Sequence, residues 1–128
     1  MPDEAREEGD RIRRRVLGDS HVDRASASAT EFDRPFQEFI TRGVWGSVWN
    51  RPGLTLRERS MVTIALLAAL GQHEELAMHI RATRNTGASA EDIREVLLHV
   101  AAYAGVPKAN AATAIAKRVF AEAKEPRP

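Results

Sequence analysis

The stretch TLRERSMVTIALLAAL, residues 55–70, decides the fold. It opens with Thr55 and Glu58 at the spacing of a capping box, in which the hydroxyl and the carboxylate each satisfy a backbone N–H of the first turn. From Met61 to Leu70 the residues are apolar apart from Thr63, so no solvent-facing stripe remains. The stretch therefore predicts an α-helix that is buried on most faces and packed against the helices that follow it.

Helical periodicity covers most of the remaining chain, and no segment alternates as a strand would. Residues 19–29 are small and polar, which indicates a loop or a wrapping arm, and the tail 124–128 is expected to fray. We predict one compact all-α domain over residues 1–128, with an N-terminal helix and arm (1–29) and a helical core (30–123). Its roughly six helices are residues 3–17, 30–49, 55–70, 72–86, 92–104 and 108–123.

The composition excludes several classes of function. The 128 residues hold 19 Lys and Arg against 18 Asp and Glu, so no excess of positive charge favours nucleic acid or acidic membranes. The basic run from Arg11 to Arg15 fits a solvated helix face. There is no cysteine, which excludes disulfides, thiolate metal sites and thiol catalysis. A domain this small often hides further surface in oligomers.

Targeting signals are also missing from the sequence. Residues 1–18 carry no apolar core of a signal peptide, and the longest apolar stretch, residues 61–70, is too short to span a bilayer. We therefore expect a cytoplasmic protein without membrane or nucleic-acid partners.

The histidines do not have the spacing of a metal site. His21, His73, His79 and His99 are scattered, and the His-Glu-x-x-His box that begins at His73 fails at Ala77. No glycine-rich phosphate loop follows a strand. We expect no metal.

Glu75 and His79 form the first candidate site. At a spacing of four residues they share one helix face, where a carboxylate can raise the basicity of an imidazole. A surface ion pair on an amphipathic helix explains the same spacing. Ser60 and Thr63, just upstream, are hydroxyls in an apolar helix and commonly bond to a carbonyl one turn earlier.

The second candidate combines tryptophan and arginine: Arg42, Trp45, Trp49 and Arg51 lie close together in the chain. Guanidinium groups bind carboxylates in bidentate fashion, so this cluster fits a pocket for a small planar anion. Tryptophan and arginine are also enriched in oligomer contacts, and spacing alone does not separate the two interpretations.

Several motifs resemble the 4-carboxymuconolactone decarboxylase family. They occur in the family's order and cover about residues 9–122, almost the whole chain. The segments are RRRVLGDSHVDR (13–24), FQEFITR (36–42) with the following Trp45-Gly46 and Trp49, RPGL (51–54), EELAMHIRA (74–82), EVLL (95–98) and YAGVP (103–107) through Asn110-Ala111-Ala112.

The wider superfamily contains alkylhydroperoxidase D-like proteins, which implies their helical fold. Their catalytic glutamate falls at Ser60, their two cysteines at Gln72 and Glu75, and their histidine at His79. Only the histidine is kept, so the thiol peroxidase activity of that branch is excluded. Ser60 remains a candidate for substrate binding.

The resemblance implies decarboxylation of 4-carboxymuconolactone to 3-oxoadipate enol-lactone, in the protocatechuate branch of aromatic degradation and without a cofactor. His79 would deliver a proton, and Glu75 would tune it. The resemblance also implies a homo-oligomer, a trimer or hexamer. The substrate-binding candidates are Arg42, Arg51 and Arg81 for a carboxylate, Trp45 and Trp49 to exclude water, His21 from the arm of its own or a neighbouring subunit, and Ser60.

Two other functions remain open. Related enzymes on this scaffold could act on another carbon acid in a biosynthetic pathway. A helical oligomer could also bind a ligand without turnover, and a Glu75–His79 pair that points into solvent would favour that interpretation.

Overall fold

The computed structural model describes residues 3–124, and every regular element in that range is helical. The all-α prediction is confirmed for this part of the chain, although nine helical segments replace the six expected. The predicted fraying concerns residues 124–128, most of which lie outside the described residues. None of the described helices is long and apolar enough to cross a membrane. In chain order the elements are α1 (Glu4–Leu17), α2 (Asp19–Ser28), α3 (Arg34–Phe39), a π-helix (Ile40–Trp49), α4 (Leu56–Leu70), α5 (His73–Arg81), α6 (Thr83–Thr86), α7 (Ala90–Ala104) and α8 (Val106–Lys124).

Residues 19–29 were expected to form a loop or a wrapping arm, and this prediction is wrong because most of them form α2. Gly18 has φ +92°, a conformation that favours glycine, and it separates α1 from α2. Val22 is buried, which anchors the polar α2 beside α1. One buried valine is too weak a periodic signal to identify a helix from sequence.

Two predicted helices are interrupted. Residues 30–49 form α3 followed by the π-helix, and the Asp33 carboxylate before α3 accepts a hydrogen bond from the Thr30 N–H at 2.6 Å. Residues 72–86 form α5 and α6, which are separated at Ala82. Internal contacts divide the chain between Leu56 and Arg57 into two compact units.

The first unit depends on a close contact between α1 and the π-helix. A Cβ atom added to Gly9 would lie 1.9 Å from the carbonyl oxygen of Thr41, and one added to Gly46 would lie 2.6 Å from that of Ala5. These distances are far below van der Waals contact, so only glycine lets the two backbones approach so closely. The buried apolar residues around this contact are Ile12, Val16, Val22, Trp45 and Trp49.

The π-helix is unusually long for its type, since most π-helical segments are single-turn bulges. The N–H of Asn50 donates to the Trp45 carbonyl at 3.1 Å, five residues earlier, and the Ser47 hydroxyl donates to the Arg42 carbonyl at 3.0 Å. The rings of Trp45 and Trp49 lie 4.8 Å apart at a tilt of 31°. The wide turn thus places two large rings together on the buried side.

The second unit has an apolar core in which Ile64, Leu76, Ile80 and Ile93 are almost fully buried. Its long helices α7 and α8 pack against each other, and α8 also packs against α5.

A capping box forms at the start of α7 in this unit. The Asp92 carboxylate accepts from the Ser89 N–H at 2.9 Å, and the Ser89 hydroxyl accepts from the Asp92 N–H at 3.0 Å. Both Asp92 oxygens also bind the Arg57 guanidinium, at 2.6 and 2.8 Å. The Arg57 guanidinium and the Ser89 N–H hold the pKa of the Asp92 carboxyl well below its usual range. These bonds fix the start of α4 to the start of α7.

Helix α4 is only partly buried, so the prediction that it is buried on most faces is wrong for the single chain. One line of residues, Ser60, Ile64 and Ala68, faces the core. The helices of this unit cover that line and leave the opposite apolar face open. The exposed residues there are Val62, Leu66 and Leu70, at 50%, 56% and 66% exposure.

Gly9→Ala tests the backbone contact in the first unit. Alanine favours an isolated helix by about 1 kcal/mol, but here its methyl group collides with the Thr41 carbonyl, and we expect a net loss of about 1–3 kcal/mol. Urea unfolding followed by circular dichroism measures the change. Gly53→Ala, at a position with open space around it, is the control. Equal stability of the Gly9→Ala variant and the unaltered chain would show that the contact is looser than described.

Candidate active site

His79 lies in the last turn of α5, on the face that packs into the second unit. It is 7% exposed, and Leu76, Ala77 and Ile80 of the same helix are buried with it. Its Nδ1 atom is buried. An imidazole held in such surroundings is shielded from bulk water and has a fixed orientation, as a group that moves a proton requires.

Glu75 stands in a different environment, one turn earlier on α5. It is exposed, and no hydrogen bond from it to His79 is present in the part of the chain that the structure describes. Glu74 and Glu75 occupy the first turn of the helix, where a carboxylate stabilises the positive end of the helix dipole. The spacing of four residues therefore brings the two groups to one side of α5 without pairing them.

Ser60 is completely buried in α4. Its hydroxyl oxygen accepts a hydrogen bond from the Thr86 hydroxyl at 3.0 Å, which ties α4 to α6. Thr63, one turn later, donates to the Arg59 carbonyl at 2.7 Å, as expected for a hydroxyl in an apolar helix. Thr86 gave no signal in the sequence, because its partner is 26 residues away.

The tryptophans and Arg42 do not form one cluster in the first unit. Trp45 and Trp49 are buried, whereas the Arg42 side chain is 51% exposed. Arg42 forms ion pairs with Asp3 and with Glu38, the latter at 3.4 Å. The rings thus contribute to the core of the unit, and the guanidinium contributes to its surface.

The other predicted site residues are distributed over both units. In the second unit, Arg81 is half exposed and pairs with Glu122 at 3.3 Å. In the first unit, Arg51 is exposed just after the π-helix, and His21 is half-buried on α2. His21 therefore belongs to a helix, where the sequence predicted an arm.

A groove between α4 and α7 was not predicted from the sequence. It has a volume of about 520 Å³ and is lined by the exposed side of α4, with Leu66, and by His99 and Tyr103 of α7. The rings of His99 and Tyr103 lie 5.0 Å apart. The sequence did not indicate this groove, because it predicted that α4 is buried on most faces. Among residues 3–124, no group of three or more His, Asp or Glu side chains is arranged to hold a metal ion.

Comparison with known proteins identifies the family to which the sequence is similar. The Carboxymuconolactone decarboxylase family matches residues 34–118, a range that includes α4, α5 and His79. A 4-carboxymuconolactone decarboxylase of Acinetobacter baylyi is 47% identical over 121 residues, which are 94% of this chain and 90% of that protein.

Two further relatives match. The nitrosuccinic acid decarboxylase npaB of Metarhizium robertsii is 40% identical over 114 residues, 89% of this chain and 80% of its own. A 4-carboxymuconolactone decarboxylase of Pseudomonas putida is 50% identical over 38 residues, 30% of this chain and 79% of its own. With a family match over most of its length and relatives that cover nearly all of it, the chain belongs to the carboxymuconolactone decarboxylase family.

Proposed function

We propose that the chain is a cofactor-independent carboxy-lyase that converts 4-carboxymuconolactone to 3-oxoadipate enol-lactone in the cytoplasm, in the protocatechuate branch of aromatic degradation. The observation that carries the proposal is the 47% identity to a 4-carboxymuconolactone decarboxylase across 94% of the chain. This span covers both compact units, and we treat residues 1–128 as one functional domain.

The chemistry explains why no cofactor is needed. The substrate carries a carboxylate on a ring carbon next to a C=C bond that is conjugated with the lactone carbonyl. When CO2 leaves, its bonding electrons move through the C=C bond to the carbonyl oxygen and form a dienolate. Protonation of the carbon α to the carbonyl then gives the enol-lactone. The protein has to bind a second carboxylate, stabilise the oxyanion and supply one proton.

We assign the proton transfer to His79. Its burial and its place in a packed helix give it the restricted geometry that proton delivery requires. Glu75 would act on it only through space, since the two are not hydrogen-bonded. We therefore assign Glu75 a tuning role that is smaller than the contribution of the histidine.

The spectator carboxylate of the substrate, on its acetate arm, needs a cation. Arg42 shares Glu38 with Arg6 and also binds Asp3, so these four charges sum to zero. Arg81 is likewise neutralised by Glu122. We favour Arg51 among the three arginines because it follows directly on the π-helix that carries Trp45 and Trp49. An arginine beside the departing carboxylate would stabilise the ground state and oppose the reaction, so an apolar wall should face that group.

A second candidate reaction is the decarboxylation of nitrosuccinic acid, which the Metarhizium relative supports. Nitrosuccinic acid also carries an acetate arm next to the carbon that loses CO2, and its nitro group accepts the electrons as a nitronate. Both substrates therefore require the protein to bind a second carboxylate, to stabilise the negative charge that develops and to supply one proton. A ligand-binding oligomer without turnover is the remaining alternative, and the burial of His79 argues against it.

We also propose that the chain forms a homo-oligomer, a trimer or a hexamer. Apolar side chains are exposed in both units, with Phe32, Phe36 and Phe39 in the first and Val62 and Leu66 in the second. Large apolar side chains exposed in such numbers are typical of protein interfaces. The resemblance to an oligomeric family favours another copy of the chain as the partner that covers these residues.

Purified protein, dialysed against EDTA and assayed without metal or nucleotide, tests the reaction. We expect spectrophotometric conversion of 4-carboxymuconolactone, because the substrate is its own electron sink, and a lower kcat/KM for nitrosuccinate. The reverse preference would favour the second candidate. Activity that is lost on chelation and restored by one metal would contradict a cofactor-independent mechanism.

His79→Gln tests the assignment of the proton donor. We expect kcat to fall by about 10²- to 10⁴-fold, the usual effect of removing a general acid–base, and Glu75→Gln to cost less. The kcat/KM of each variant is measured against pH, with circular dichroism to verify folding. His73→Gln, at the exposed start of α5, is the control. A folded His79→Gln enzyme with normal turnover would move the proton transfer to another group, with His21 as the next candidate.

Alanine variants test which arginine binds the acetate arm. We expect Arg51→Ala to weaken substrate binding by about 2–4 kcal/mol, the scale of a desolvated charge pair that loses one partner. Arg42→Ala and Arg81→Ala should change KM little, because their charges are neutralised within the chain. Arg118→Ala on α8 controls for the loss of one positive charge. A larger effect of Arg42→Ala or Arg81→Ala than of Arg51→Ala would reverse the assignment.

A further inference from the structure

Arg13 is a half-buried arginine that leaves most of its hydrogen-bonding capacity unused. It lies on the inner side of α1 in the first unit and is half-buried. Its Nε atom is buried and makes no hydrogen bond in the described part of the chain, and its Nη1 atom reaches the Gln37 side-chain oxygen only at 3.4 Å. A guanidinium has five N–H donors, and buried donors are normally satisfied.

The carboxylates nearest to Arg13 are bound by other arginines. Both oxygens of Glu38 accept from the Arg6 Nε atom, at 2.9 and 3.1 Å. Asp10 accepts from the Arg14 Nε atom at 2.9 Å. No ion pair to Arg13 is present within residues 3–124. Burial lowers the pKa of the Arg13 guanidinium, while Asp10 opposes this effect without forming a bond to it.

A small cavity of about 220 Å³ lies beside Arg13, within the first unit. Its charged lining consists of Arg6, Arg13 and Arg34 with the carboxylates of Asp10 and Glu38. Arg6 pairs with Glu38 and Arg34 pairs with Glu31, so Arg13 is the lining arginine without an ion pair among the described residues. Since a water molecule takes about 30 Å³ in the liquid, the space can hold several heavy atoms. A planar anion would supply the acceptors that the Arg13 fork lacks.

We propose that the Arg13 cavity is a binding site for the carboxylate group of a small organic acid. The acid is either the substrate itself, whose spectator carboxylate Arg13 would then bind in place of Arg51, or a separate metabolite that carries the same group. The first of these sources rests on the proposed function, and the second does not. Arg13 binds, and has no part in the proton transfer.

Succinate is a suitable probe because it has the acetate arm and has no electron sink for decarboxylation. The Arg13 Nε–H resonance, identified in nitrogen-15 NMR spectra by its absence from the Arg13→Gln variant, should shift in a saturable manner as succinate is added. In parallel calorimetric titrations, Arg13→Gln should weaken succinate binding by about 10- to 100-fold, the loss of charge-assisted hydrogen bonds. Arg13→Lys should also bind more weakly, since a point charge replaces the fork.

The control is Arg15→Gln, which removes the same charge from the exposed side of α1. It should bind succinate as the unaltered chain does. An Arg13 resonance that does not respond at saturating succinate, or equal losses in Arg13→Gln and Arg15→Gln, would overturn the proposal. The NMR titration uses the unaltered chain, so it remains decisive if Arg13→Gln folds poorly. In that case the Arg13→Lys variant identifies the Arg13 resonance.

The activity assay separates the two sources of the carboxylate. A KM for 4-carboxymuconolactone that rises in parallel with the loss of succinate binding identifies the substrate, and an unchanged KM identifies a separate acid. If the chain binds succinate at Arg13 but does not turn over the lactone, the site stands and the proposed function fails.

Discussion

The main constraint on the structure is that its helices carry more apolar surface than they can bury against one another. Each compact unit is built from a few helices and is too small to bury every apolar face that those helices carry. In the first unit, Gly9 and Gly46 let the backbones of α1 and the π-helix approach each other closely. This close approach brings the two tryptophans into a small core. In the second unit α4 buries one line of residues and leaves another exposed. These exposed apolar faces are the basis on which we propose an oligomer.

The reaction requires few functional groups from the protein, and a small helical fold can supply them. An electron sink inside the substrate removes the need for a metal or an organic cofactor, so the protein has to provide only position, charge and one proton. A buried imidazole on a packed helix suits the last of these tasks. A guanidinium group suits the binding of a carboxylate. We therefore propose separate groups for the proton and for the spectator carboxylate.

The sequence predicted the helical class because the apolar period is strong over most of the chain, and it predicted the family because its motifs are dense. It could not predict how much of α4 is covered, since periodicity tells which residues are apolar and not whether neighbours are available to bury them. It missed α2, where only Val22 marks the inner side. It grouped Arg42 and Arg51 with Trp45 and Trp49, although the π-helix turns those rings inward and leaves Arg42 between carboxylates. Arg13 was not distinguished from its neighbours in the basic run, of which Arg11 and Arg15 are exposed.

The central claim is that a positioned group of the protein, and not bulk water, protonates the dienolate. Turnover of 4-carboxymuconolactone in D2O, followed by NMR of the product, tests it most directly. The account predicts one deuterium at the carbon α to the lactone carbonyl, with a single configuration, because a fixed donor reaches only one face of the ring. An equal mixture of both configurations would show that solvent protonates a released intermediate and would contradict the account.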